Sequence, residues 1–139
     1  IGRIGGFERD FNENAFAKIR KFIQDFPKVY DEFEGMLLRN RIFMDRTIGC
    51  GPISGERALN YGFTGPNLRA AGVDFDVRVM TPYSSYEEFD FEIPIGENGD
   101  AYDRFTVMSE EIRQSIRIIE QALNKIEKEQ PGVYHAEAP

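Results

Sequence analysis

Four arginines and three aspartates stand close together in otherwise apolar sequence between positions 41 and 78. An arginine guanidinium can form two parallel hydrogen bonds with one carboxylate, so such groups often fix one loop to another. The sequence predicts ion pairs within the chain, and it leaves open that one or two arginines face a partner protein or an anionic group. The residues are Arg41, Arg46, Arg69 and Arg78 with Asp45, Asp74 and Asp76.

Glycines are frequent in the same region. Six glycines lie between positions 49 and 72, and we single out five of them because glycine permits positive φ angles and close backbone approach. Their spacing matches neither a phosphate-binding loop nor a dinucleotide-binding turn. We interpret them as tight turns between short helices, with the alternative of a loop shaped to press against a neighbouring subunit. They are Gly49, Gly51, Gly62, Gly65 and Gly72.

Tyr83 is one of four tyrosines whose phenol group could donate a hydrogen bond to a reduced acceptor. Tyrosines beside a proline or in the first turn of a helix more often pack as amphipathic residues, and we favour packing for all four. The other three are Tyr61, Tyr86 and Tyr102. The candidates for locking loops or for facing a partner subunit are Arg41, Arg46, Arg69, Asp76, Arg78 and Tyr83.

The supply of ligands and nucleophiles limits metal chemistry and catalysis. Cys50 and His135 are the only cysteine and histidine, so neither an internal disulfide nor a Ser-His-Asp or Cys-His arrangement is expected. A zinc, nickel–iron or iron–sulfur site held wholly by this chain would need several such ligands. Glu110 and Glu111 are interpreted as a charge pair on a helix, with no acid–base role. We therefore predict no metal site.

The overall charge narrows the classes of partner. A formal net charge of −7 argues against non-specific nucleic-acid binding, which depends on neutralising phosphates with basic side chains. No apolar run approaches the roughly 18 residues that suggest a membrane-spanning helix. The sequence predicts a protein that is soluble, or peripheral to a membrane through its partners.

Two long amphipathic helices are predicted to position the charged residues. Apolar residues recur three or four positions apart through 16–37 and 105–126, which predicts helices at about 14–39 and 100–128. Pro27 is expected to kink or split the first helix. The two apolar stripes are expected to pack together in an antiparallel helical bundle.

Between these helices the apolar period changes to two. Apolar and polar residues alternate at 75–79 and 89–95, which predicts two half-buried strands, and a third short strand is predicted at 3–9. The predicted fold class is mainly α with a small antiparallel β element (α+β). The chain is expected to form a single domain over 1–139, with a flexible tail at 132–139.

The segment from Leu37 to Tyr86 also carries three blocks whose spacings no generic helix or strand requires. They are Asn40-Arg41-Ile42 with Arg46-Thr47-x-Gly49; Gly62-x-Thr64-Gly65 with Leu68-Arg69, Gly72-Val73 and Asp76-Val77-Arg78; and Pro82-Tyr83-x-x-Tyr86. With flanking matches at 3–6 and 99–115, the chain resembles the D subunit, or 49 kDa-type subunit, of proton-pumping NADH-quinone oxidoreductase (respiratory complex I). Members of that family are several hundred residues long, so we expect an internal fragment.

The resemblance implies a location and a set of partners. The D subunit lies in the peripheral arm, on the cytoplasmic side of the inner (plasma) membrane, and forms much of the quinone cavity. It faces the terminal iron–sulfur cluster, which another subunit binds, and the flavin and NADH sites lie on further subunits. The resemblance thus implies electron transfer from NADH to quinone in the respiratory chain, with contact to the membrane only through the complex.

The resemblance carries over no catalytic residue. The family's quinone-headgroup histidine and tyrosine belong to motifs upstream of this chain, so the isolated fragment is expected to be inactive and to bind no cofactor. The family is related to the large subunit of nickel–iron hydrogenases but lacks its paired cysteines. Two alternatives stay open: a large-subunit-like component of a membrane-bound hydrogenase or F420-dependent complex, and a purely structural or assembly module.

Overall fold

Two long helices form most of the molecule in a computed structural model that describes residues 2–129 and 132–136. The mainly helical class is confirmed, and both long helices end within two residues of their predicted bounds. In chain order the elements are β1 (Gly2–Arg3), β2 (Gly6–Phe7), α1 (Glu13–Leu38), α2 (Arg41–Thr47), α3 (Gly55–Asn60), α4 (Gly65–Ala70), α5 (Val77–Met80), a 3-10 turn (Tyr86–Glu88) and α6 (Ala101–Ile126).

Helices α1 and α6 run antiparallel and are linked at two levels. Arg20 pairs with Glu127 at 2.6 Å near one end, and towards the other end the hydroxyls of Tyr30 and Ser109 share a hydrogen bond of 2.8 Å. These links confirm that the two predicted helices pack against each other. Pro27 therefore does not split α1, because contacts with α6 on both sides of the proline hold the helix together.

The stripes are only partly covered by this pairing. Ile23 and Leu123 are buried, whereas Phe33 is 46% exposed and Ile119 is 37% exposed. The helix pair therefore does not bury both stripes within the described residues.

A second packing centre lies among the short helices. Ala58, Leu68 and Ala71 are buried together, with Ile53 and Val73 packed against them. This centre lies beside α6, because α4 packs on that helix. The short helices therefore form a platform that positions the arginine-rich loops against α6.

The loop before α6 is tied closely to this platform. Gly99 donates a backbone hydrogen bond to Ala70 (3.0 Å) and accepts one from Ile53 (3.1 Å). It has a φ of +64°, and a Cβ atom at this position would collide with the Ile53 carbonyl. Asp100 then caps α6 by accepting from the amide of Asp103 at 2.9 Å.

The small antiparallel sheet exists, but it lies elsewhere than predicted. Strands β1 and β2 form a hairpin in which Gly2 pairs with Phe7 and Arg3 with Gly6, within the third predicted strand. The strands predicted at 75–79 and 89–95 are wrong. The first region becomes α5, because Asp76 caps that helix. The second forms no regular element in the described part of the chain, although its alternate amides at Asp90, Glu92 and Gly96 are hydrogen-bonded as in an extended chain.

The region after α6 lies partly outside the described residues. Helix α6 ends at Ile126, and His135 forms an isolated antiparallel bridge with Gly6. The flexible tail at 132–139 and the single-domain organisation stay predictions. No helix in the described ranges is long and apolar enough to cross a membrane.

Candidate functional site

Two arginines and two carboxylates form a buried ionic cluster where three helices meet. Asp76 pairs with Arg69 Nη1 at 3.0 Å and with Arg78 Nη2 at 2.6 Å. Glu111 pairs with Arg78 Nη2 at 3.1 Å and also with Arg69 Nη2. Each arginine thus bridges both carboxylates. We call Arg69, Asp76, Arg78 and Glu111 the ionic cluster.

Each member of the ionic cluster is placed by a local feature of the sequence. Arg69 lies in the last turn of α4, and Asp76 is the N-cap of α5, accepting from the amide of Arg78 at 2.9 Å. Because Arg78 is two residues beyond this cap, its guanidinium folds back and binds Asp76 through both Nε and Nη2. Glu111 projects from the middle of α6. The cluster therefore joins α4 and α5 to the long helix.

Burial makes the pairing energetically important. The side chains of Arg69 and Asp76 are 4% and 3% exposed, and those of Arg78 and Glu111 are each 14% exposed. A buried charge is tolerated only when it is paired and hydrogen-bonded. Arg69 meets this condition through Nη1 and Nη2, and Nη1 also donates to the Phe75 carbonyl at 3.2 Å. Its Nε has no hydrogen-bond partner among the described residues.

The charges of the cluster stabilise their ionised forms. Burial raises the pKa of Asp76, but the hydrogen bonds from Arg78 and the charges of Arg78 and Arg69 outweigh it, so the pKa of Asp76 lies below its ordinary value. The side-chain hydrogen bond with Asp76 likewise raises the pKa of Arg78. Asp76 is therefore a permanent anion at neutral pH and is not suited to general acid or base catalysis, which needs a pKa near the operating pH.

An open cavity of about 420 Å³ lies against the ionic cluster. Its polar wall contains all four cluster residues, and its rim includes the half-exposed rings of Phe75 and Tyr83. Tyr83 contacts Tyr86 edge-on, with ring centroids 5.1 Å apart. The remaining lining residues are Thr64, Gly65, Pro66 and Val77.

Aromatic rings also cover Arg78. Its guanidinium carbon lies 5.0 Å from the ring centroid of Phe91 and 5.9 Å from that of Tyr86. A guanidinium at this distance from an aromatic face is attracted to the π electrons. Arg78 is thus fixed by carboxylates on one side and by rings on the other, and it links α5 to the extended segment that contains Phe91.

The structure brings together only some of the residues singled out in the sequence. Arg69, Asp76 and Arg78 meet in the ionic cluster, and Tyr83 lies on the rim of the adjoining cavity. Arg41 is almost fully exposed and approaches Asp45 at 3.6 Å, one helical turn away. Arg46 and Asp74 are exposed and have no ion pair among the described residues.

Glu111 is the residue that sequence reasoning missed. The sequence pattern groups it with Glu110 as a charge pair on the helix, but its carboxylate faces two arginines. A signal was present in principle, because Glu111 lies three residues after Met108 and four before Ser115 and is therefore beside the apolar stripe on the helix surface. The helical period alone does not identify which arginines it meets.

A second polar group joins α1 to α6. Arg113 binds Glu34 at 2.5 Å and Asp31 at 2.9 Å, and Ser109 donates to Glu34. The hydrogen bond from Arg113 lowers the pKa of Glu34. These contacts align the helix pair that carries Glu111.

The chemistry of the site is therefore electrostatic and positional. Two guanidiniums balance two carboxylates, and the group provides a rigid polar wall under an apolar rim. Within the described residues, no set of three or more His, Cys, Asp or Glu side chains is arranged to hold a metal ion. Such an arrangement fits a surface that holds loops in place for contact with another molecule.

Comparison with known proteins gives a consistent match over the entire chain. Residues 1–139 match the family described as the respiratory-chain NADH dehydrogenase 49 Kd subunit. The chain is 66% identical to the D 2 subunit of NADH-quinone oxidoreductase from Cytophaga hutchinsonii over 139 residues, which is all of this chain and 35% of the relative. It is 58% identical to the D subunit from Flavobacterium johnsoniae over the same 139 residues, 33% of that relative.

A more distant relative shows the same relationship. The D subunit from Myxococcus xanthus is 53% identical over 126 residues, which cover 91% of this chain and 30% of that protein. The chain thus spans about a third of the length of the curated relatives it matches.

Proposed function

This chain belongs to the family of the respiratory-chain NADH dehydrogenase 49 kDa subunit, and on that premise we propose that it forms part of the quinone-reducing module of an NADH-quinone oxidoreductase. In that module electrons from NADH pass through iron–sulfur clusters to quinone. The observation that carries the proposal is the match over all 139 residues, together with 66% identity to a D subunit.

Within that module we assign the chain a positioning role. The ionic cluster fixes α4 and α5 on α6, and the half-exposed residues at the rim of its cavity remain available for contact. The proposed partners are the other peripheral-arm subunits, including the one that carries the terminal iron–sulfur cluster. Other parts of the protein or other subunits bind quinone, flavin, NADH and the clusters. The chain itself contacts the membrane only through the complex.

We carry no catalytic residue into this proposal. The cluster carboxylate with a shifted pKa is held as an anion, and the hydroxyl of Tyr83 at the cavity rim forms no hydrogen bond with an acid or base among the described residues. The isolated chain is accordingly proposed to be inactive. The proposal includes a relation of the helical architecture to the large subunit of nickel–iron hydrogenases.

The test is a segment exchange in a relative. The 139 residues replace the matching segment of the D 2 subunit from Cytophaga hutchinsonii, and NADH-quinone oxidoreductase activity is measured in membranes of a strain that depends on the exchanged gene. We expect the exchange to support activity, and the same exchange carrying Asp76→Asn to lower the amount of assembled complex. An exchange carrying Asp74→Asn is the matched control.

Two outcomes would contradict the proposal. One is a complex that assembles in normal amount with the exchanged segment but does not reduce quinone. The other is a C-x-x-C pair in the sequence that flanks this chain in its own gene, which would favour the hydrogenase-like alternative. The structural-module alternative makes two predictions. The exchanged D 2 subunit should assemble and work normally when the ionic cluster is intact, but a complex made from the chain's own full-length protein should have no NADH-quinone activity.

A further inference from the structure

The extended segment 90–96 has one backbone edge in use and one open. On the first edge Asp90 donates its amide to Gln121 Oε1 at 2.9 Å and Glu92 donates to Gln114 Oε1 at 2.9 Å. Gly96 then donates to the Arg69 carbonyl at 2.9 Å. Pro94 also lies on this edge, between Glu92 and Gly96, but it has no amide hydrogen to donate. We call residues 90–96 the edge segment.

The alternate amides of the edge segment have no such partners. Phe91, Ile93 and Ile95 donate no backbone hydrogen bond to any residue in the described ranges. In an extended chain successive amides point to opposite edges, so these three lie on the edge away from the glutamines. Buried amides are almost always paired, and we therefore take these three to face solvent.

The side chains of residues 90–93 follow the same alternation, which ends at the half-buried Pro94 and the exposed Ile95. Phe91 and Ile93 are half-buried, whereas Asp90 and Glu92 are exposed. This is the pattern of a strand with one covered and one solvated face. The residue pattern that predicts a strand is therefore present, and only the strand partner is missing from the described part of the chain.

The edge segment is also held in a fixed position. Gln121 donates back to the Asp90 carbonyl at 2.7 Å, and Arg117 pairs with Asp90. The Phe91 ring lies under the Arg78 guanidinium of the ionic cluster. A segment fixed in extended form presents its free amides and carbonyls at strand spacing, which lowers the entropy cost of adding a partner strand.

The charge around the edge segment selects the chemistry of that partner. Five carboxylates lie within 87–97, at Glu87, Glu88, Asp90, Glu92 and Glu97. Only two cations among the described residues pair with them, Arg117 and Lys125. On the solvated face Asp90 and Glu92 are 79% and 81% exposed and share the single positive charge of Arg117, so one negative charge remains there. An approaching strand with lysine or arginine at alternate positions would compensate it.

We propose that the outer edge of residues 91–95 binds an extended segment of a partner protein by strand addition, and that this partner segment carries alternating basic side chains. The contact uses the free amides of Phe91, Ile93 and Ile95 for affinity and the neighbouring carboxylates for specificity. It is independent of the proposed function, because it follows from the open backbone edge whatever reaction the parent protein performs.

The first test measures amide hydrogen exchange in the unmodified chain by NMR. We expect fast exchange at Phe91, Ile93 and Ile95, and slower exchange at Asp90, Glu92 and Gly96. Protection of the three outer amides in the chain alone would show that the edge is already covered, and it would overturn the proposal.

The second test adds a probe strand, an eight-residue capped peptide of alternating lysine and valine. We expect saturable binding that protects the three outer amides. A peptide with the same residues but with an N-methyl group on every backbone amide is the control, since it keeps the charge and loses its backbone donors. Equal binding of both peptides would mean that charge alone attracts them, and failure of the first to protect Phe91 and Ile93 would equally refute strand addition.

A matched pair of variants tests the edge from the side of the protein. Ile95 is 43% exposed, and Ile95→Pro removes an outer amide, whereas Ile95→Ala keeps it. We expect Ile95→Pro to weaken binding of the lysine–valine peptide about fivefold relative to Ile95→Ala, the effect of one backbone hydrogen bond. Equal affinities of the two variants would show that the Ile95 amide takes no part.

Discussion

Replacing Asp76 by asparagine should remove the charge at the centre of the ionic cluster with almost no change in shape. In the native chain Asp76 accepts three hydrogen bonds from Arg78 and forms an ion pair with Arg69. An asparagine oxygen can keep the two bonds from the amide and Nε of Arg78. Its NH2 group would then face Arg78 Nη2 and Arg69 Nη1, which are themselves donors, so one charge-assisted bond and one ion pair are lost.

The size of the effect follows from burial. Arg69 is 4% exposed and would share a single carboxylate, Glu111, with Arg78. Breaking a buried pair by removing one partner typically costs about 3–5 kcal/mol, because it leaves an uncompensated charge. The change of capping residue adds little to this cost, since asparagine caps helices as well as aspartate does. We therefore expect Asp76→Asn to lower the free energy of unfolding by about 3–5 kcal/mol.

The assay is urea unfolding followed by circular dichroism, with the midpoint and the slope compared between variants. Asp74→Asn is the matched control, because Asp74 is exposed, lies two residues away and undergoes the same chemical change. It should shift stability by no more than about 0.5 kcal/mol. A loss below about 1 kcal/mol for Asp76→Asn, or equal losses for the two variants, would refute the view that the ionic cluster holds the loops.

Three further predictions use the same measurement. Gly99→Ala should lower the free energy of unfolding by more than about 1 kcal/mol, and by more than Gly62→Ala does. Both glycines have a positive φ, but a Cβ at Gly99 meets the Ile53 carbonyl whereas a Cβ at Gly62 would have open space. Equal losses would mean that backbone strain alone sets the cost. Leu68→Ala should cost about 2–5 kcal/mol since Leu68 is 2% exposed, and Ile119→Ala should cost less than half as much, so a reversed order would contradict the packing described. The pKa values of Asp76, Asp100 and Glu34 are lowered on folding. The stability that these carboxylates contribute should therefore be complete above their ordinary pKa values of 3.8 to 4.5, and it should be lost as the pH falls through their folded pKa values. A free energy of unfolding that rises as the pH is lowered from about 5 to about 3 would contradict that sign.

Local chemistry made the long helices predictable from the sequence. Asn12 and Asp100 each precede a run of apolar residues with helical period, and each accepts a hydrogen bond from an amide three residues on. Such caps depend on neighbours in the chain and need no knowledge of the tertiary fold. The same holds for the pairing of Asp76 with Arg78, which are two residues apart.

Long-range pairing was not predictable in the same way. Glu111 lies 42 residues from Arg69 and 33 from Arg78, and its role depends on how α4 and α5 sit on α6. The neighbouring residues place Glu111 beside the apolar stripe, but they do not show that it faces two arginines. The site could be assembled only once the packing of the helices was known.

The two wrong strand predictions have different causes. At 75–79 a period of two was outweighed by a single capping residue, because Asp76 satisfies the first amides of a short helix. At 89–95 the alternation predicts a strand that the structure does not form, and the error lay in assuming a partner strand within the chain. Alternation of apolar and polar residues reports which face of a segment is covered, but it does not identify the molecule that supplies the neighbouring strand.

The ionic cluster and the edge segment are in direct contact. Arg69 supplies the carbonyl that holds the amide of Gly96, and Arg78 lies over the ring of Phe91, so two cluster residues contact the edge segment near its two ends. Glu111 and the glutamines that bind Asp90 and Glu92 all project from α6. The buried charges therefore help to set the position of the open backbone edge at residues 91–95.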